Sequence, residues 1–175
     1  MVTYIKAKEF LVQYTELTVL DVRSPSEYHQ GHVPGALSFP LFNDEERADV
    51  GKRYKQSGRI DAVMLGLDIV GPRLSAYLRK AKKLIKGNVV LMYCWRGGMR
   101  SESLAWLLSK AGLEVRLLEG GYKAYRRHIR QAFEAEKKIL ILGGMTGSGK
   151  TDILSLLADK GHQVIDLEGV ACHKG

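Results

Sequence analysis

Val89-Val90-Leu91-Met92-Tyr93 runs straight into Cys94-Trp95-Arg96-Gly97-Gly98-Met99-Arg100, and an amphipathic stretch, residues 101–111, follows and closes at Gly112. The apolar run reads as a strand buried on both faces, as parallel sheets require. A strand, a glycine-bearing turn and a helix make one βα unit, and ligands of such sheets bind beyond the carboxyl ends of the strands. Cys94 stands at that end. Gly97 and Gly98 permit the positive φ angles by which a loop turns its N–H groups inward. The helix expected from about Ser101 points its positive dipole end at the sulfur, and Arg96 and Arg100 add charge. Each feature favours thiolate over thiol. The stretch marks Cys94 as a nucleophile, with Arg96, Gly97, Gly98, Met99 and Arg100 as its anion-binding loop.

The same alternation continues outward. Residues 18–22 read as a buried strand. Ser24-Pro25-Ser26-Glu27 is a capping box with proline at the first helical position. Residues 31–36 form a turn, 37–39 a short extended piece, and 44–57 and 72–86 helices, the second opening at Pro72. Residues 115–118 read as a strand and 122–137 as a long helix. The expectation is an α/β fold over residues 1–136, a parallel sheet flanked by helices. After the polar Ala135-Glu136-Lys137-Lys138 a new unit opens, with 139–142 and 164–166 as strands and 151–160 as helix. Residues 137–175 are too few for a core of useful size, so the chain is expected to stop inside a second domain.

That second unit carries Gly144-Met145-Thr146-Gly147-Ser148-Gly149-Lys150-Thr151, which fits G-x4-G-K-[ST] between a strand and a helix. Gly144, Gly147, Ser148 and Gly149 would wrap a diphosphate, Lys150 would hold its outer phosphate, and Thr151 would hold Mg²⁺ where a metal is used. Asp166 and Glu168 are open between a metal or base role and that of solvated carboxylates.

Composition bounds the rest. The 175 residues are 45% hydrophobic and 26% charged, with net charge +8. No run approaches the ~18 apolar residues of a membrane span. The N-terminus lacks a signal-like apolar region, so a cytoplasmic protein without a membrane partner is expected. Two cysteines, Cys94 and Cys172, make no disulfide framework, and the adjacent Cys172-His173 makes no metal site. The positive charge gathers at 79–86 and 123–130, which favours a polyanion or simply two solvated helix faces.

Leu20-Asp21-Val22-Arg23, Glu27-Tyr28 and Gly31-His32-Val33-Pro34-Gly35-Ala36, followed by Cys94 and by Leu118-Glu119-Gly120-Gly121-Tyr122, resemble the rhodanese family over roughly residues 4–135. The resemblance implies a rhodanese-like fold with Cys94 as the sulfur carrier and Asp21, Arg23 and His32 in structural roles. One departure stands out. The Cys94–Arg100 spacing is Cys-x5-Arg, as in cysteine phosphatases, a wider cradle suited to a tetrahedral oxyanion with Arg100 as bidentate partner. A phosphatase or oxyanion reductase is therefore a rival, although Tyr93 stands where such phosphatases carry histidine. A non-catalytic docking module is a third reading, opposed by the presence of Cys94. Selenophosphate, attacked at selenium by Cys94, would reconcile a sulfur-carrier fold with a phosphate-sized cradle.

The Cys94 loop, the stretch from Gly143 to Thr151 and Asp166-Leu167-Glu168-Gly169 together resemble the tRNA 2-selenouridine synthase family. That resemblance implies a transferase that replaces sulfur by selenium in the wobble 2-thiouridine of tRNA. It implies selenophosphate and geranyl diphosphate as co-substrates, a geranylated intermediate, a selanyl-cysteine at Cys94, and the P-loop as seat of the prenyl diphosphate. It also implies further chain beyond Gly175, without which this chain is expected to be partly active and to bind tRNA and diphosphates weakly.

Overall fold

The computed structural model describes residues 1–136 and 138–171; Lys137 and the Cys172-His173 pair lie outside the described residues. The chain falls into two compact units, Met1–Ala135 and one beginning at Glu136.

The first unit is a five-stranded parallel sheet in the order β1-β5-β4-β2-β3, with β1 Val2–Ile5, β2 Thr18–Asp21, β3 Leu37–Ser38, β4 Val89–Tyr93 and β5 Glu114–Leu118. Its helices are α1 Ala7–Gln13, α2 Pro25–His29, α3 Asp44–Ser57, α4 Arg59–Val70, α5 Leu74–Leu84, α6 Met99–Lys110 and α7 Gly121–Glu134. The period-2 alternation of the strands divides the core. Val90, Met92, Val115 and Leu117 pack with Leu104, Ala105 and Leu108 of α6 and Ala81 of α5. Leu91, Tyr93 and Leu118 pack on the other face with Phe10 of α1 and Tyr122 of α7. Cys94 continues the first set, so its side chain belongs to the α6 side of the sheet.

The expected parallel sheet flanked by helices is present, and the capping box at Ser24 forms, with the Ser24 N–H donating to Glu27 at 3.0 Å. Three elements had no sequence expectation. β1 is a four-residue edge strand, α1 is two turns long, and α4 follows α3 after the single left-handed residue Gly58. The helix expected at 72–86 opens instead with a 3₁₀ turn, Gly71–Arg73, and becomes α-helical at Leu74.

The second unit contains α8, Lys150–Asp159, and the short α9, Leu167–Val170. The strands expected at 139–142 and 164–166 do not form among the described residues. Ile139, Leu140 and Ile141 are 78%, 91% and 87% exposed. A strand needs neighbours to pair its backbone groups and cover its side chains, and this segment pairs with none among the described residues.

Candidate active site at Cys94

Cys94 directly follows β4, and a four-residue loop returns the chain into α6. Cys94 is 3% exposed. The Gly98 N–H donates to Cys94 Sγ at 3.3 Å, and Ser101 Oγ lies 3.2 Å from the same atom. Ser101 Oγ is also 2.9 Å from the Gly98 carbonyl, so its single hydrogen is shared between two acceptors. The sulfur thus sits at the N-terminal end of α6, where unpaired N–H groups and the helix dipole stabilise negative charge.

The loop is braced from behind by the turn into α7. The Tyr122 and Lys123 N–H groups donate to the Cys94 and Trp95 carbonyls at 2.8 and 3.1 Å. Gly97 has φ 67° and Gly121 φ 60°, both left-handed. A side chain on Gly121 would meet the Cys94 carbonyl, and would stand 2.6 Å from Gly97 N and 2.9 Å from Arg96 N. The Gly120-Gly121 pair is therefore part of the cradle. Gly121→Ala combines a backbone strain with a clash against the loop, and is expected to lower unfolding stability by about 2–3 kcal/mol. Chemical denaturation followed by tryptophan fluorescence measures this; a change below about 0.5 kcal/mol would contradict the tight packing.

Two expectations for the loop need correction. Gly98 has φ −121°, an extended conformation, so it serves by donating its N–H rather than by adopting positive φ. Helix α6 begins at Met99, not Ser101, which places Met99 and Arg100 in the first turn instead of the loop. Met99 is 46% exposed and Arg96 is exposed.

Arg100 does not stand free to grip an oxyanion. Its Nη1 donates to Glu27 Oε2 at 2.5 Å and its Nη2 to Oε1 at 3.4 Å. Burial of Glu27 would raise its pKa, but the hydrogen bond and charge of Arg100 prevail, helped by the Ser24 N–H and the charge of Arg47, and hold the carboxyl below its ordinary range.

Asp21, Arg23 and His32 support the surroundings. Arg23 pairs with Asp21 at 2.6 Å with both side chains fully buried, donates to the Gly31 carbonyl at 2.7 Å, and lies 3.8 Å over the Tyr122 ring. His32 stacks on Tyr28 at 3.8 Å. Tyr93 lies on the opposite face from the sulfur, its oxygen accepting the Val33 N–H at 3.1 Å. Burial, followed by the charge of Asp21, pushes its pKa well up, so it stays protonated.

Ser101, Glu27 and Gly121 were not singled out from sequence as site residues. For Ser101 the available signal was its place directly after Cys-x5-Arg. Ser101→Ala removes one of two donors to the sulfur, and is expected to slow iodoacetamide alkylation of Cys94 about tenfold near neutral pH. Peptide mass mapping follows that rate, and an unchanged rate would show that the hydroxyl serves only the Gly98 carbonyl.

In the second unit, Gly147 and Gly149 are left-handed, at φ 79° and 76°, and lead into α8. Lys150 Nζ donates to the Gly144 and Met145 carbonyls at 3.0 and 2.9 Å, so the lysine closes over the loop. Ser148 and Thr151 flank it at the helix start. Asp166 accepts the Gly169 N–H at 3.1 Å and caps α9. Among the described residues no group of three or more His, Cys, Asp or Glu side chains is placed to hold a metal, and no helix is long and apolar enough to cross a membrane.

The sequence model of the rhodanese-like domain matches residues 6–128, and that of the tRNA 2-selenouridine synthase AAA domain matches residues 137–175. A tRNA 2-selenouridine synthase of Ectopseudomonas mendocina (strain ymp) is 41% identical over 163 residues, 90% of this chain and 43% of that protein. One from Serratia proteamaculans (strain 568) is 40% identical over 167 residues, 91% of this chain and 43% of that protein. The chain thus spans less than half the length of these curated relatives. A crystal structure of an N-terminal domain from Clostridium difficile 630 superposes with TM-score 0.66 at 38% identity, covering 73% of this chain and 98% of that one.

Proposed function

This chain belongs to the rhodanese-like family and matches the N-terminal portion of tRNA 2-selenouridine synthases, and on that premise we propose that Cys94 carries sulfur and then selenium destined for 2-thiouridine in tRNA. The observation that carries this reading is the pair of donors on one buried sulfur, Gly98 N–H and Ser101 Oγ, at the start of a helix. Such a cradle offers two hydrogen-bond donors to the terminal anion of a persulfide or perselenide.

Electron counting shapes the step. Selenium in selenophosphate is at the selenide level, so a bare thiolate attacking it would expel phosphite rather than phosphate. A persulfide on Cys94 balances the reaction. Selenium displaces the outer sulfur as hydrosulfide and bonds to Sγ; water then cleaves the Se–P bond, giving phosphate and a selanyl anion on Cys94. That anion attacks C2 of an S-geranylated 2-thiouridine with geranylthiolate leaving. An external thiol then attacks Sγ, releasing the 2-selenouridine and leaving Cys94 in a mixed disulfide, which a second thiol reduces before a sulfane-sulfur donor reloads the persulfide and departs as its thiol. Geranyl diphosphate would supply the prenyl group. Gly144, Gly147, Ser148, Gly149, Lys150 and Thr151 would seat its diphosphate once Lys150 turns from the Gly144 and Met145 carbonyls to the outer phosphate, with Mg²⁺ at Thr151 where one is used.

The basic face of α7 supports tRNA as partner. Lys123, Arg126, Arg127 and Arg130 are exposed and make no ion pair among the described residues, and Lys123 hydrogen-bonds the Cys94 loop through its backbone. Arg79, Lys80, Lys82, Lys83 and Lys86 form a second exposed group on and after α5. The phosphatase reading fits less well, because Arg100 is engaged by Glu27 and Tyr93 faces away from the sulfur. A side-by-side assay separates the two: the chain is expected to move sulfur from a persulfide donor to a thiol acceptor and to leave an aryl phosphate intact. Turnover of the aryl phosphate without sulfur transfer would reverse the assignment.

A further inference from the structure

The Cys-x5-Arg spacing gives the loop the length of an oxyanion cradle, yet its arginine is already occupied. Arg100 and Glu27 are each 19% exposed and paired through two nitrogen–oxygen contacts. Glu27 is fixed a second time, because the same Oε2 accepts the Ser24 N–H at the start of α2. The carboxylate is therefore anchored and cannot follow Arg100 toward the sulfur. A tetrahedral dianion entering the loop must draw the guanidinium from a partner with which it is mostly desolvated, leaving Glu27 without its only ion-pair partner among the described residues and with only the Ser24 N–H and the more distant charge of Arg47. Arg96, in the same loop, is exposed and makes no ion pair among the described residues.

We propose that Glu27 is a specificity-determining residue of the Cys94 site: by engaging Arg100 it withholds the bidentate guanidinium from phosphate-sized dianions, so the loop favours atom transfer at Sγ over phosphoryl transfer. This rests on Cys94 being the nucleophile of the loop. It also means that phosphate formed at the site is held weakly and leaves readily.

Tungstate, a stable tetrahedral dianion, titrated calorimetrically into the chain, tests this. Glu27→Gln keeps the size of the side chain and an acceptor for Ser24 while removing the charge. Tungstate is expected to bind Glu27→Gln about tenfold more tightly than the parent, a difference of about 1.4 kcal/mol. The gain is expected to vanish in Glu27→Gln/Arg100→Ala, and Arg100→Ala alone is expected to leave the parent's weak affinity where it was. Equal affinity of parent and Glu27→Gln overturns the proposal, as does a gain that survives loss of Arg100. A clear drop in affinity on Arg100→Ala alone also overturns it, and that arm decides the matter should Glu27→Gln not fold. Alkylation of Cys94 in the parent separates the two readings: an alkylated Cys94 with unresponsive tungstate binding sinks only the role of Glu27, whereas an unreactive Cys94 sinks the nucleophile.

Discussion

Cys94→Ala is expected to abolish sulfur transfer by this chain, with a fall on the order of 10⁴-fold or more, because the atom that forms the covalent intermediate is gone. The fold should survive. Cys94 contributes one small side chain to the α6-side core, and alanine keeps its Cβ, so the unfolding midpoint should move little. Cys94→Ser tests the chemistry more narrowly. It keeps the shape and the Gly98 and Ser101 donors, but a hydroxyl cannot hold a persulfide, so it should be as inactive as alanine. Rates of persulfide-to-thiol transfer for the three proteins measure this. Residual transfer in Cys94→Ala above a hundredth of the parent rate would move the chemistry to another thiol, with Cys172 the remaining cysteine of the sequence.

Asp21→Ala is expected to be the most destabilising single change, costing about 3–5 kcal/mol. Arg23 is fully buried, and Asp21 accepts from its Nε, its Nη2 and its backbone N–H. Without Asp21 a buried guanidinium would retain the Gly31 carbonyl and the Tyr122 ring as neighbours. Those neighbours cannot balance its charge. The damage should spread to the site, because Tyr122 lies in the first turn of α7, and its N–H and that of Lys123 brace the Cys94 loop. Asp21→Ala/Arg23→Met should recover much of the loss, since a methionine needs no counter-charge. Guanidinium unfolding of the three proteins gives the comparison. A loss below about 1 kcal/mol in Asp21→Ala would mean that the arginine finds another anion or reaches water.

The parts of the fold legible in sequence are those whose pattern is local. The run 89–93 and the glycine-bearing loop after it announce a buried parallel strand, and the boxed Ser24-Pro25-Ser26-Glu27 announces α2. Cys94 follows from its position in that unit. β1 was illegible because a four-residue edge strand acquires its identity from pairing with β5, over a hundred residues away. α4 was illegible because its apolar residues do not all face a core; Ile60, Met64 and Leu67 are more than half exposed. The strands read at 139–142 and 164–166 show the converse error, a local pattern without the partners that would make it a strand.

At the site, sequence spacing placed Arg100 near the sulfur but could not reveal Glu27, which lies 73 residues earlier and meets it only through the fold. The same holds for Gly121, whose missing side chain makes room for the loop. Both glycines of the loop read alike in sequence, yet one is left-handed and the other extended, because only Gly97 packs against the Gly120-Gly121 turn.

The central claim is that Cys94 bears the transferred atom. The direct measurement is the intact mass of the chain after persulfide loading and again after addition of selenophosphate, beside Cys94→Ala. The account predicts a gain of one sulfur atom, replaced on the second addition by one selenium atom. Both should map to the Cys94 peptide, be lost in dithiothreitol, and be absent in the variant. An adduct that persists in Cys94→Ala, or a Cys94 that takes up neither atom from either donor, would contradict it.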